Sequence, residues 1–548
     1  TAMDKTTTAA KHRLLKLRLA CALYSIFCTQ SAQAEQCRPY TPEAAKAQAQ
    51  DLRVGRISIR AGNLFNLNDP SQTKRMHSVA NSLHISSRES TISDILTFSS
   101  GEAFSEKLLA ESERSLRKKR YLHDATIVAH QLCGNVVNIE VLTIDNWTLT
   151  PSVSFGSAGG ETRYAYEIQD LNVLGLGKEL RIQQSHNGDL KSSNFRYADD
   201  NVMGSRYQFQ LGLAKTDDGS QTDIQGGLPY YSLSSANSWW LSLSSVHDSY
   251  DDPDSPDNLV PIAIQNATFK ISTLLPSSTA RYARVGVGAR ITRQRTEIAE
   301  TQNTSRPAYD FDESYLFISA QWGNSEWSKR QNYQSLRATE DIHLGLNVDV
   351  ELGLIANALG NDKDAFRLNI DMTNSWYDYS QSLHKVSYQQ TQYFNGSEES
   401  KFALSARYQY FRWIGENNQL DLRLTGETHQ GNSPLHDFSV GGANGLKAYK
   451  TNYQKGENRA IAMAEFRHLT QWPPWSLANT AVAGFVESGR AWNDGDSSHQ
   501  LTNVGLGFLF SPTRSSRAAI SRIDISAPLV KGDDVPDYQI FIGSSIHY

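Results

Sequence analysis

From residue 147 onward, apolar and polar positions alternate with a period of two, in short runs broken by clusters of Gly, Asn, Asp, Ser and Pro. That pattern predicts antiparallel strands joined by turns. The runs are clearest after residue 458: RAIAMAEFRHL (459–469), NTAVAGFVESGRAW (479–492), NVGLGFLF (503–510), AAISRIDISAPL (518–529) and YQIFIGSSIHY (538–548). Val504, Leu506, Phe508 and Phe510 share one face, and Ile523 and Ile525 alternate with Arg522 and Asp524. A charged face opposite an apolar one suits a wet lumen opposite lipid, although a soluble sandwich also buries one face. The N-terminal part has a different rhythm. VGRISIRAG (54–62) alternates as a strand, and MHSVANSLHISSRESTISDILTF (76–98) holds two helical stretches. FSEKLLAESERSLRKKRYL (104–122) reads as a helix capped at Ser105, with Phe104 stapled onto Leu109 and an apolar stripe of Leu108, Leu109 and Leu116. ATIVAHQL (125–132) and VVNIEVLTI (136–144) follow as strands turned at Gly134. Strand, helices, strand, strand makes a small α+β layer pair.

A sheet in hydrocarbon cannot keep an open edge, because each unsatisfied backbone group there costs several kcal/mol. The final run, 538–548, is therefore expected to pair with the first, WTLTPSVSF (147–155). Trp147, Phe155, Tyr538, Gly543 and Tyr548 would mark that seam. Gly543, Ser544 and Ser545 offer little packing, which would leave the seam weak.

Lys11, Arg13, Lys16 and Arg18 precede the apolar run LACALYSIFC (19–28), and AQA at 32–34 supplies small residues. Residues 1–34 are thus expected to be a signal peptide cut after Ala34, exporting the chain from a bacterial cytoplasm. The cysteines then left are Cys37 and Cys133, which an oxidising compartment would allow to pair; the sequence leaves their geometry open.

Composition adds exclusions. With 39% hydrophobic residues and a formal charge of −5, the chain has no strong attraction to nucleic acid. It carries no apolar run of membrane-helix length, but a barrel spreads its hydrophobicity too thinly for that test. The absence of G-x-S-x-G, H-E-x-x-H and zinc-spaced cysteine pairs argues against an enzyme, a metal site or a cofactor. DSYDDPDSPDN (248–258) lacks the glycine an EF-hand needs and reads as a solvated outer loop. GLGK (175–178) lacks phosphate-loop spacing and reads as a tight turn. Arg117, Lys118, Lys119 and Arg120 read as a solvated helix end favoured by the helix dipole.

Two stretches carry a resemblance. LTFSSGEAFSEKLLAESERSLRKKRYLHDATI (96–127) with VNIEVLTIDNWTL (137–149) resembles a POTRA domain, the periplasmic module of BamA/TamA-type outer-membrane barrels. Only one such module fits, whereas BamA and TamA carry several and two-partner secretion transporters carry two. FSVGGANGLKAYK (438–450) resembles the loop that folds into the lumen in this superfamily, usually GG-x-x-G-L-R-G-Y. Gly441, Gly442, Gly445, Leu446 and Tyr449 match, while Lys447 replaces Arg and Ala448 replaces Gly. FVESG (485–489) is similar to the loop-docking strand F-x-D-x-G, with Phe485 and Gly489 matching and Glu487 in place of Asp. The two departures are coupled: lysine cannot make arginine's planar fork, and a longer glutamate restores reach to a single ammonium. Lys447 and Glu487 are thus expected to form a lumenal ion pair. The turns at 171–177, 199–207 and 228–240 look like the same superfamily.

The resemblance implies a lead-in at 35–52, a POTRA-like α+β periplasmic domain at 53–146, and a transmembrane antiparallel β-barrel at 147–548 in the bacterial outer membrane. It implies about 16 strands, whereas the alternating runs number nearly fifteen rather than eleven before the inward loop and five after it; the surplus, between residues 345 and 430, is expected to be bent or extramembrane hairpins unless the barrel is larger. The implied function is insertion or translocation of unfolded or secreted polypeptide clients, engaged by strand addition at the POTRA edge or the seam. Outer-membrane lipid and periplasmic or lipoprotein accessory subunits would be its partners. A two-partner-type secretion pore plugged by 438–450, or a passive barrel, are the alternatives.

Overall fold

The computed structural model describes residues 37–43, 51–158, 161–187, 190–217, 219–252, 255–276, 281–296, 311–361, 363–395, 401–431, 437–472, 478–495, 498–514, 520–531 and 535–544. The expected signal peptide, Tyr548 and much of the lead-in lie outside them. The chain falls into two compact units. One comprises the described residues up to Ser58 with 98–109 and 127–141; the other comprises 59–97, 110–126 and 142 onward. The expected boundary at 146 therefore falls inside the larger unit.

The N-terminal elements are β1 (Arg38–Pro39), β2 (Arg53–Gly62), α1 (Arg75–Leu83), α2 (Glu89–Ser93), α3 (Glu106–Arg117), β3 (Leu122–Cys133) and β4 (Val136–Asp145). The strands form one sheet in the order β1-β3-β4-β2, and the unit boundary runs through it. β4 alternates as its valines predict, with Val137, Ile139 and Val141 all at or below 1% exposure. Gly134, at φ 59°, makes the β3–β4 turn. In the smaller unit Cys37 and Cys133 are joined by a disulfide. Beside it Arg38 lies opposite Leu132 and Pro39 opposite Gln131. Tyr40 continues the strap: its N–H donates to His130 O at 3.1 Å, its hydroxyl donates to Glu106 Oε1 at 2.8 Å, and its ring meets Phe104 edge-on at 5.5 Å.

The larger unit is dominated by an antiparallel sheet whose strand order returns on itself. Among the described residues it has twenty strands, counting Phe311–Asn324 and Glu326–Gln331 as one because both lie along Thr339–Ile355. The expectation of about 16 is thereby corrected. Ala365–Tyr377, Leu383–Phe394, Phe402–Ile414 and Asn418–Gln430 are registered along their length with both neighbours. None is a bent or detached hairpin. Fifteen strands precede the inward loop and five follow it.

The first strand, Thr150–Ala158, starts three residues later than expected. Trp147 stands outside it, its N–H donating to Arg514 O at 2.7 Å. Tyr538 likewise precedes the last strand, Gln539–Ser544. At the seam one registered pair is described, Ile542 opposite Ser157. On its other side the last strand has six, from Ser521 opposite Ser544 to Ser526 opposite Gln539; Gly543 lies opposite Arg522.

The two faces of the wall differ as the alternation predicts. Ile168, Ile182, Val287, Ile318, Leu352 and Leu506 stand exposed on the outer face, while Glu167, Gln169, Asp421, Glu465 and Asn503 are buried inside. No helix among the described residues is long and apolar enough to cross a membrane, which says nothing of strands.

Helical residues of the larger unit dock on the rim that carries the short turns. Arg88 N–H and the Thr91 hydroxyl both donate to Gly175 O, at 3.0 and 2.9 Å. Arg206 donates to the carbonyls of Asp94 and Leu96. Leu233 N–H donates to Glu111 Oε1 at 2.6 Å. Within the basic run at 117–120, Arg117 and Lys119 belong to this docking, while Lys118 and Arg120 stay exposed as the solvated-end reading expects. Arg117 pairs with Asp341 at 2.7 Å and Lys119 with Asp200 at 2.8 Å, while the Lys118 ammonium lies 5.1 Å from the Trp327 ring centre. Local sequence could not disclose those partners, which arrive from distant turns.

Candidate functional site

Between Asn418–Gln430 and Asn458–Thr470 the chain leaves the wall and folds inward. Phe438–Val440 and Gln454–Gly456 pair with each other and form the base of the loop. Its glycines are needed for backbone conformation. Gly441, Gly442 and Gly445 have φ of 119°, 60° and 97°, and a Cβ on Gly441 would sit 2.0 Å from Lys450 O. Gly441 N–H donates to Gly445 O at 2.7 Å and Gly442 N–H to Tyr449 O at 2.9 Å, which tightens the tip.

That tip is buried. Leu446, Ala448 and Tyr449 have no exposure and pack with Val440, Ile461, Ala491 and Leu501. The Tyr449 hydroxyl reaches the carbonyls of Thr502 and Val530, each at 2.9 Å. Ala448 fits the same cluster, so a methyl is accommodated where the resembling motif has glycine.

Lys447 occupies the centre. Its ammonium lies 2.8 Å from Glu487 Oε1 and 3.5 Å from Asp524 Oδ2. Its backbone N–H donates to Glu487 Oε2 at 3.0 Å, and Asn503 Nδ2 donates to the same oxygen at 3.1 Å. The ammonium also sits 4.2 Å from the ring centre of Phe485, a cation–π arrangement. Gly489 completes the docking strand: a Cβ there would stand 2.5 Å from Ala460 O.

The pair opens into a network that sequence reasoning missed. Arg522 joins Asp524 at 2.7 Å to Glu465 at 2.9 Å, and Glu465 meets Arg467 at 2.8 Å. Lys447, Arg467 and Arg522 face Glu465, Glu487 and Asp524, all at or below 5% exposure. Buried charges survive when they are paired and hydrogen-bonded, and three of each sign leave no net charge. The alternation of Arg522 and Asp524 with Ile523 and Ile525 was the available signal.

Of the remaining expected residues, the structure gathers none at the loop. Cys37 and Cys133 belong to the smaller unit, Trp147 and Tyr538 flank the seam strands, and Phe155 and Tyr548 have no described side chains. Among the described residues no group of His, Cys, Asp or Glu is placed to hold a metal.

These elements make an antiparallel β-barrel with an apolar outside, a charged inside and a loop pinned within it. No protein-family model matches the chain, and no curated protein matches it. Among solved structures it is similar to BamA from Haemophilus ducreyi lacking POTRA domains 1–3, at 12% identity over 90% of this chain and 85% of that one, with a TM-score of 0.38. CdiB from Acinetobacter baumannii is similar at 12% identity over 92% and 77%, TM-score 0.43, and CdiB from Escherichia coli at 11% over 98% and 97%, TM-score 0.37.

Proposed function

We propose that this chain is a bacterial outer-membrane β-barrel that inserts or translocates polypeptides, its α+β region acting as a POTRA-like periplasmic module. The observation that carries the reading is the first–last seam itself, where Ile542 lies opposite Ser157 and the neighbouring Gly543 has no side chain to pack across it. Such a seam can part and offer its edges to an extended client through main-chain hydrogen bonds, whatever the client's sequence. The apolar outer wall supports a lipid environment, and the motif resemblance at 438–450 and 485–489 agrees with it. The cargo, any accessory subunit and the lack of enzymatic activity belong to this proposal.

The test locks the seam. Proteoliposomes of the folded chain should speed the folding of a urea-denatured small outer-membrane barrel several-fold over empty liposomes. Ser157→Cys with Ile542→Cys, oxidised, should remove the gain and reduction should restore it. Acceleration that survives cross-linking overturns the seam mechanism. The buried loop favours a second reading, a secretion pore with 438–450 as plug; deletion of that loop should then raise conductance while the cross-link changes nothing.

A further inference from the structure

We propose that residues 332–337 form a latch that closes the lumen at the short-turn rim, and that residues 113–118, the end of α3 and the residue after it, grip its arms. The inference needs only a barrel in lipid from the preceding reading and does not depend on any client.

The latch is a built element. Asn332 and Arg337 adopt left-handed φ of 63° and 62°, and Asn332 Oδ1 accepts the Arg337 N–H at 2.6 Å. The Glu340 carboxylate accepts the N–H groups of Tyr333 and Gln334 at 2.8 and 2.9 Å. A non-glycine residue at positive φ is uncommon, and two in six residues are held only when surroundings dictate them.

Its course takes it away from its own wall. Four strands, from Ala365–Tyr377 to Asn418–Gln430, separate Thr339–Ile355 from Asn458–Thr470. The segment runs along the inside of those four. Tyr333 is buried against Ile342, Leu383 and Phe411, and its hydroxyl donates to Gln409 Oε1 at 2.7 Å. Trp413 Nε1 donates to Gln331 O at 2.9 Å. At the far end Leu336, 2% exposed, enters a socket of Leu469, Ala481, Ala483, Leu509 and Ile520. Two further hydrogen bonds hold it there: Asn479 Nδ2 to Leu336 O at 2.9 Å and Arg337 Nη2 to Thr470 O at 3.2 Å. The far-side attachment is thus one leucine in an alanine-floored socket and two hydrogen bonds to half-buried groups, a contact small enough to let go.

The near-side attachment consists of charges and rings. Arg117 makes a two-pronged pair with Asp341, at 2.8 and 2.7 Å, on one arm. On the other arm Lys329 pairs with Glu113, and Trp327 lies under Arg114 and Lys118 at 5.4 and 5.1 Å. A shift of residues 113–118 therefore pulls on both arms at once, and a packed socket answers by holding or releasing rather than by stretching. With the Lys447 loop entering from the opposite rim, two obstructions stand in series.

Conductance in planar lipid bilayers tests this. Lys447→Ala and Leu336→Asp should each raise single-channel conductance less than twofold, and the double variant at least fivefold. A double variant conducting no more than Lys447→Ala alone overturns the latch. Thiol alkylation in detergent gives a readout independent of insertion into a bilayer and of Leu336→Asp folding. Leu336→Cys should react with a maleimide at least tenfold more slowly than Tyr379→Cys, an exposed position in a turn on the same rim. Adding Arg117→Glu should speed the Leu336→Cys reaction at least fivefold. Equal rates at the two sites, or indifference to Arg117→Glu, overturn the latch or its grip. Neither measurement uses a client, so their failure leaves the polypeptide-handling reading standing.

Discussion

Glu487 receives Lys447 twice, one carboxylate oxygen taking the ammonium at 2.8 Å and the other the backbone N–H at 3.0 Å, while Asp524 stands 3.5 Å from the same ammonium. The sequence motif by itself leads to equal losses for Lys447→Ala and Glu487→Ala. Asp524 breaks that symmetry. Lys447→Ala leaves the buried Glu487 carboxylate without a counter-charge, while Asp524 keeps Arg522, and should cost about 3–5 kcal/mol, whereas Glu487→Ala leaves the ammonium a second acid and should cost roughly 1–3 kcal/mol. Heat-modified mobility on gels, measured as an unfolding midpoint in detergent, ranks the two; equal midpoints would remove Asp524 from the pairing.

The Arg117–Asp341 contact should behave as a buried pair and Lys119–Asp200 as a surface one. The side chains are 4% and 9% exposed in the first and 17% and 40% in the second. Arg117→Ala should lower hydrogen-exchange protection along residues 110–117 by about 3 kcal/mol at any salt. Lys119→Ala should cost under about 1 kcal/mol, and less at high salt. A strong salt dependence for Arg117→Ala would contradict its burial.

The turns at 170–175 and 199–204 share one construction, and it predicts substitutions of opposite sign. Asp170 and Asp199 each accept the N–H two residues on, from Asn172 and Asn201. Leu174 and Met203 then take φ of 55° and 54°, followed by Gly175 and Gly204 at 76° and 73°. Met203 is fully exposed, so Met203→Gly relieves a left-handed side chain and should stabilise by up to about 1 kcal/mol. Gly175→Ala places a Cβ 2.5 Å from Ser86 O and should destabilise. Thermal midpoints of the folded chain check both directions.

Asp145 supplies a pH dependence outside the barrel. It is buried, accepts the Ser87 N–H at 2.7 Å and lies 3.3 Å from His84 Nε2. Burial pushes its carboxyl up to about 6 against the opposing Ser87 hydrogen bond, and burial pushes His84 down. With the folded value above the unfolded one, the stabilisation is present below about pH 4 and lost as pH rises through about 6. Asp145→Asn keeps an acceptor and removes the titration. Exchange protection of residues 84–92 in the variant should match wild type at pH 4 and exceed it by on the order of 2 kcal/mol at pH 7. A constant gap across that range would exclude Asp145 as the titrating group.

The wall was legible from alternation alone, and more truly than from resemblance. The runs between 345 and 430 counted as strands, and strands they are; the lower number of about 16 came from the likeness to other barrels. The inward loop was legible because Lys447 and Glu487 depart from their motifs together. Arg467, Glu465 and Asp524 were not, since any wet inner wall carries alternating charges and nothing along the chain says which ones meet. Arg117 was misread for a related reason. A helix C-terminus explains a basic residue locally, while its partner Asp341 lies 224 positions away. The latch was hidden by its composition: QNYQSLRA (331–338) reads as an ordinary polar turn with a single leucine.

Girth has a consequence of its own. The width of a closed sheet grows nearly in proportion to its staves, so a cylinder of twenty encloses roughly half as much cross-section again as one of sixteen. One inserted plug sized for the narrower bore would leave a crescent of water beside it. Here the staves at 365–430 are the ones that 331–338 lies against, so the stretch that widens the pipe and the segment proposed to close it are neighbours in the chain.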